Sequence, residues 1–143
     1  MDEFHDNTNK YVKEIVLKVK DLKKSYDFYK NIMGFEVLKE EDNKVLLTVD
    51  GTTPIITLIS SNDIIRKIQN RTGLYHYALL LPSRYHLGLF IKNMQEKNYP
   101  ITGGSDHGVS EAVYLKDPDD NGVEVYSDFE SSEWNRENGQ IKM

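Results

Sequence analysis

His76, Glu124 and Glu14 are the residues of this chain whose types and settings suit chemistry. His76 opens the apolar run Tyr77-Ala78-Leu79-Leu80-Leu81. A neutral imidazole there is a ligand for zinc, iron, nickel or manganese, or simply a side chain sealing a strand end by hydrogen bonding. Glu124 lies in Gly122-Val123-Glu124-Val125-Tyr126, where strand alternation turns it away from both valines. A carboxylate on a covered sheet face is costly unless it is paired or bound to a cation; on a wet face it is unremarkable. Glu14 precedes Ile15-Val16-Leu17 and is either a ligand or an ordinary charged strand start. Together one histidine and two carboxylates from three strands suit a divalent metal, Fe2+, Mn2+, Ni2+ or Zn2+, with water completing the shell. Thr57 sits between Ile56 and Leu58 as Glu124 sits between valines. Its hydroxyl is a poor metal ligand, so its candidate roles are substrate contact and plain β-branched strand packing.

His107 stands apart, in Gly103-Gly104-Ser105-Asp106-His107-Gly108. Flexible glycines beside Asp106 and His107 suit a proton-transfer group over a pocket, and equally a surface-loop histidine. Tyr77, Tyr114 and Tyr126, with Tyr75, are candidates to line a cavity for a flat ligand, although core packing is the more frequent role of such aromatics. The chain carries no Gly-rich phosphate loop, nucleophile elbow or dinucleotide fingerprint.

The elements that must position these residues form a repeat. Glu14 to Val19, a helical stretch from Asp21 to Met33, and Gly34-Phe35 recur in altered form as His76 to Leu81, a helical stretch to about Lys97, and Tyr99-Pro100-Ile101. Each copy ends in two further strand-like runs, Val45 to Val49 and Ile55 to Ile59, then Ala112 to Leu115 and Gly122 to Tyr126. Two copies of one small unit are expected to share a core, because neither copy can bury its apolar face alone, and Glu14 becomes equivalent to His76, and Thr57 to Glu124. The reading is α+β: two βαβββ modules forming a mixed sheet with helices outside. The expected organisation is a mobile arm over 1–10, a first module over 11–60, a linker over 61–73, a second module over 74–127 and a polar tail over 128–143. Local signals are specific in places. A strand is expected from Tyr11 to Val19, with Asp21 a helix N-cap, Gly34 a helix stop and Asp117-Pro118-Asp119-Asp120-Asn121-Gly122 a strong turn. Glu40 to Lys44 reads as a polar turn, and Ile64, Ile65 and Ile68 as one helical turn of the linker. Thr102 to Gly108 reads as a Gly-rich loop. Leu87, Leu89, Phe90, Ile91 and Met94 read as the apolar face of the second helix, and Trp134 as an aromatic that docks on the body or on a partner.

Composition excludes several classes. The 143 residues bear a net charge of −5 with both signs interspersed and no basic stripe, so nucleic acid is not an expected partner. No run approaches the roughly 20 apolar residues that span a bilayer, so no membrane is expected. The chain has no cysteine, which removes disulfide and thiol chemistry and fits a reducing, cytoplasmic setting.

The stretches Val16-Leu17-Lys18-Val19-Lys20-Asp21-Leu22, Ser25-Tyr26-Asp27-Phe28-Tyr29, Met33-Gly34-Phe35 and Asp117-Pro118-Asp119-Asp120-Asn121-Gly122-Val123-Glu124 resemble the vicinal oxygen chelate superfamily of glyoxalases, bleomycin resistance proteins and extradiol dioxygenases. Thr72 to Arg84, Ser105 to Leu115 and the tail from Glu133-Trp134 resemble more specifically the N-terminal half of bacterial catechol 2,3-dioxygenase-like proteins. The resemblance implies paired modules in a cupped, barrel-like sheet around a metal, with ligand positions at Glu14, Thr57, His76 and Glu124. Thr57 and Glu14 depart from the family pattern, so a two-histidine, one-carboxylate triad is not assembled from these four positions. In two-barrel members the iron belongs to the other half.

The expectation is therefore a divalent-metal-dependent enzyme acting on a small substrate with vicinal oxygens, such as a catechol-type aromatic. His76, Glu124 and Glu14 would hold the metal, and His107 would handle protons. Iron would go with dioxygenation, and zinc, nickel or manganese with isomerase or lyase chemistry. The alternatives are a metal-free binding protein of the bleomycin-resistance kind and a non-catalytic domain. A homodimer is expected.

Overall fold

The computed structural model describes residues 11–65, 67–68 and 72–141. The arm over 1–10, part of the linker and the last two residues lie outside them. The described chain divides into two compact units: residues 11–73 with 117–121, and residues 74–116 with 122–141.

The first unit runs β1 (Ile15–Lys18), α1 (Leu22–Asp27), a π-helical turn (Phe28–Ile32), β2 (Glu36–Glu41), β3 (Lys44–Thr48) and β4 (Pro54–Ile59). Its four-stranded sheet has the order β1-β4-β3-β2. β1 lies parallel to β4, and the other pairs are antiparallel. Asp21 caps α1 by accepting from the Lys24 amide at 3.0 Å, satisfying a donor the helix itself cannot. After the π turn, Gly34 adopts φ +88°, a left-handed conformation that glycine takes without a Cβ clash. β1 begins at Ile15, not Tyr11, because its ladder with β4 begins at the Ile15–Ile56 pair; Tyr11 and Val12 are exposed. The turn expected over 40–44 contracts, since β2 continues to Glu41 and β3 starts at Lys44. Ile64, Ile65 and Ile68 form no helical turn, and Ile65 is 75% exposed. Leu17, Val19, Phe28, Tyr29, Phe35, Val45, Leu47, Ile56 and Leu58 are buried.

The turn at 117–121 belongs to this unit through its hydrogen bonds. Asp117 Oδ1 accepts from the amides of Asp119 and Asn121 at 2.9 and 2.8 Å. Its Oδ2 accepts from Tyr29 Oη at 3.0 Å and Asn121 Nδ2 at 2.8 Å. Asp119 accepts from the Lys20 amide at 3.0 Å and from Ser25 Oγ at 3.3 Å. Burial pushes the Asp117 carboxyl up, against the downward pull of the Asn121, Tyr29 and Asp119 donors.

The second unit repeats the order with β5 (His76–Leu80), α2 (Arg84–Glu96), β6 (Gly103–Asp106), β7 (Ser110–Lys116) and β8 (Gly122–Asp128). Its sheet order is β5-β8-β7-β6, with β5 parallel to β8. α2 packs on β7 and β8. It buries Leu87 and Met94 and leaves Leu89 exposed. The expected Gly-rich loop is largely a strand: β6 pairs with β7 from Gly103–Tyr114 to Asp106–Glu111. Glycines at the sheet edge need no apolar side chains to hydrogen-bond through the backbone. Within 128–143 a short hairpin joins β9 (Arg136–Glu137) to β10 (Gln140–Ile141). Asn138 and Gly139 form its tip with φ +52° and +79°, the pattern of a two-residue hairpin turn. Trp134 Nε1 donates to the Phe129 carbonyl at 3.1 Å.

Both units thus have the βαβββ order, and the fold is α+β with a four-stranded mixed sheet and its own helix in each module.

Candidate functional site

Alternation and register decide which side chains meet on the second sheet. On β8, Val123, Val125 and Ser127 are buried while Glu124, Tyr126 and Asp128 turn to the opposite face. Directly paired residues share a face, so β5 contributes Ala78 opposite Glu124, with His76 two residues before it and Leu80 two after. β7 contributes Tyr114 opposite Glu124 and Ala112 opposite Tyr126. This face is open: the His76 side chain is 37% exposed, that of Glu124 15%, and Leu80 43%.

On it lies a continuous hydrogen-bonding row. His76 Nε2 is 3.1 Å from Glu124 Oε2. Tyr114 Oη donates to Glu124 Oε1 at 3.2 Å. His107, just beyond the end of β6, places Nε2 3.2 Å from Tyr114 Oη. Since Tyr114 spends its proton on Glu124, its oxygen accepts from His107, which assigns His107 the Nε2–H form. The His107 position is fixed by the hairpin. Its amide donates to the Ser110 carbonyl at 2.9 Å, and Asp106 accepts from the Gly108 amide at 2.8 Å. Burial, and then the negative charge of Glu124, raise the Tyr114 phenol above its ordinary value. Tyr126 is raised by burial, then by Asp128 and Glu124.

Aromatic rings border the row. The Tyr75 ring centroid is 5.1 Å from that of His76, and the His76 ring is 6.3 Å from Tyr114 in an edge-on arrangement. Tyr77 is placed differently: it pairs with Val123 on the helix-covered face, is 8% exposed, and lies in the core away from the row. Leu80 and Ala78 sit on the open face and were not among the sequence candidates. The bridging place of Tyr114 has a sequence signal, because counting outward equally from Asp119 in the 117–121 turn pairs it with Glu124.

In the first unit, Glu14 and Thr57 meet each other. Thr57 Oγ1 donates to Glu14 Oε1 at 2.6 Å, and Thr57 is buried. The chain therefore brings His76, Glu124, Tyr114 and His107 together on one sheet face and pairs Glu14 with Thr57 on another.

A divalent ion needs oxygen and nitrogen donors that converge. His76 Nε2 and Glu124 Oε2 are the right donor types, held as neighbours, and fit two places of a shell completed by water or substrate oxygens. Among the described residues no group of three or more His, Cys, Asp or Glu side chains gathers.

Comparison with known proteins agrees with this architecture. The model of the glyoxalase/bleomycin resistance protein/dioxygenase superfamily matches residues 11–125. A catechol-2,3-dioxygenase of Bacillus subtilis (strain 168) is 40% identical over 138 residues, covering 96% of this chain and 47% of that protein. The chain thus spans about half the length of this curated relative. Among solved structures, a glyoxalase/dioxygenase from Nostoc punctiforme superposes with a TM-score of 0.70 at 20% identity, covering 91% of this chain and 99% of that one. A lactoylglutathione lyase from Agrobacterium tumefaciens gives 0.65 at 19% identity, covering 83% and 94%. These two likenesses are of fold. The family match and the 40% identity are of sequence, and with them the chain belongs to the glyoxalase/bleomycin resistance protein/dioxygenase superfamily.

Proposed function

We propose that this chain binds a divalent metal through His76 and Glu124 and acts on a small substrate with two adjacent oxygens, a catechol-type aromatic being the leading candidate. The observation that carries this reading is the row His107–Tyr114–Glu124–His76 on an open sheet face. The 40% identical catechol-2,3-dioxygenase supports the substrate class. A bound metal would supply Lewis acidity to coordinated oxygens. The chain's own residues do the rest. Leu80, Ala78 and the Tyr75 ring offer apolar and aromatic surface to a flat ligand. The raised Tyr114 phenol keeps its proton at neutral pH and donates it to Glu124 Oε1, which orients that carboxylate, while His107 Nε2 donates to the phenol oxygen and holds the ring in place.

The test is metal analysis of untagged protein reconstituted with Fe2+, Mn2+, Ni2+ or Zn2+, beside His76→Ala and Glu124→Ala. Near-stoichiometric metal in the wild type, weakened at least roughly tenfold in each variant, is expected. Iron would direct assays to ring-opening dioxygenation of catechols, and the other metals to isomerase or lyase substrates. A wild type that takes up none of the four overturns the metal-dependent reading. The second reading, a metal-free binding protein, is favoured by one observation: the row satisfies its own hydrogen bonds without a cation. Catechol binding by calorimetry that is indifferent to chelator would select it.

A further inference from the structure

We infer that Gly122 is a positioning residue that sets the His76–Glu124 spacing, an inference that builds on the proposed role of that pair. Gly122 is the register partner of His76, one strand over and two residues before Glu124. Its amide donates to the Tyr75 carbonyl at 3.1 Å. A Cβ at this position would lie 2.4 Å from that carbonyl oxygen, 2.8 Å from His76 Cβ and 3.2 Å from His76 Cα. The first of these is backbone and cannot swing aside. Gly122 is not among the glycines with positive φ, so an alanine would fit the backbone conformation and fail only for lack of room. Glycine inside a strand marks a close approach of another backbone, and here that backbone carries His76. An added methyl group has one outlet: it pushes the start of β5 away from β8. β5 is an edge strand, bonded only to β8 within its sheet, so it yields more readily than β8, which is held by a strand on each side. Glu124 stays with β7 and Tyr114, His76 leaves, and the 3.1 Å contact opens. Gly103, in the same sheet, would have nothing within 4 Å of an added methyl group and serves as the control.

The experiment compares wild type, Gly122→Ala, Gly103→Ala and Glu124→Ala by the side-chain nitrogen shifts of His76 in metal-free protein, followed by Zn2+ titration. Gly122→Ala is expected to move the His76 nitrogens as Glu124→Ala does and to weaken Zn2+ binding about tenfold, with Gly103→Ala matching the wild type on both. Unchanged His76 nitrogens in a folded Gly122→Ala chain overturn the inference. So does global unfolding of that variant, because the glycine then serves the whole fold and not the pair. A measurement on the wild type stands beside these: the Gly122 amide should exchange as slowly as that of Val125, and a fast-exchanging Gly122 also overturns it. A wild type that binds no Zn2+ removes zinc as the metal and leaves the other three to be tested, while the nitrogen shifts still decide the place of Gly122.

Discussion

The two modules share a register and differ in what they place on it. Thr57 is flanked on its sheet by Val16 and Leu46; Glu124, at the same point of the second sheet, is flanked by Ala78 and Tyr114. Two residues upstream of Val16 and Ala78 stand Glu14 and His76. In the first module a buried hydroxyl meets an exposed carboxylate, and among the described residues the hydrogen bonding ends there. In the second, the carboxylate occupies the central place and gathers partners on both sides. Leu46 has no polar atom to extend a row, whereas Tyr114 passes it on to His107. One backbone plan thus supports a closed pair in one copy and an open chain of donors and acceptors in the other. A few side chains, and not the fold, make that difference.

The largest effects test what the copies have in common. Leu47 and Leu115 are equivalent, since each lies opposite the residue preceding Thr57 or Glu124, and both are almost wholly buried. Leu47→Ala and Leu115→Ala should each cost about 2–5 kcal/mol in denaturant unfolding. A cost confined to one of them would break the equivalence of the modules. Smaller effects test what separates them. Thr57→Val removes a buried donor and should cost about 0.5–1.5 kcal/mol, because Glu14 can turn to water. Tyr114→Phe, on a wetter face, should cost less than Thr57→Val in the same unfolding assay while lowering affinity for the catechol-type ligand proposed above; the reverse order would assign the row to stability. The smallest effect concerns protons. The Tyr114 pKa in the folded chain is raised above its unfolded value, first by burial and then by Glu124. Its neutral form therefore contributes stability that is full below about pH 10 and lost as pH rises through the folded pKa. Tyrosine Cζ shifts should show this titration moving down toward the ordinary value in Glu124→Gln, with burial keeping part of the elevation.

Much of this was legible because it depends on neighbours in sequence. Asp21 reaches Lys24 three residues on, Gly34 needs only its own φ, and Glu124 between two valines has its side fixed by alternation. Tyr77 was open to error for the same reason: one step from His76 along β5 reverses the face, and that parity places it with Val123. What could not be read depends on partners far along the chain. Gly103–Asp106 has no apolar pattern, and only the backbone of β7 makes it a strand. Ile64, Ile65 and Ile68 have helical spacing, but the described backbone around them adopts no helix. The row itself needs four residues whose separations range from 7, between His107 and Tyr114, upward, and no local pattern announces it.

The turn at 117–121 has a consequence for how the chain acquires its structure. The acceptors for Tyr29 Oη, Ser25 Oγ and the Lys20 amide arrive 88, 94 and 99 residues later. During synthesis from the N-terminus, these acceptors follow only after most of the second module has been made. Contacts of such separation slow folding, since the intervening chain must close before they form. Residues 11–73 released as a fragment would carry Tyr29, buried in the intact protein, with no Asp117 to receive its hydroxyl. The sequence duplication is therefore not a duplication of self-contained units: three side-chain and backbone hydrogen bonds of the first copy are completed only by the turn at 117–121.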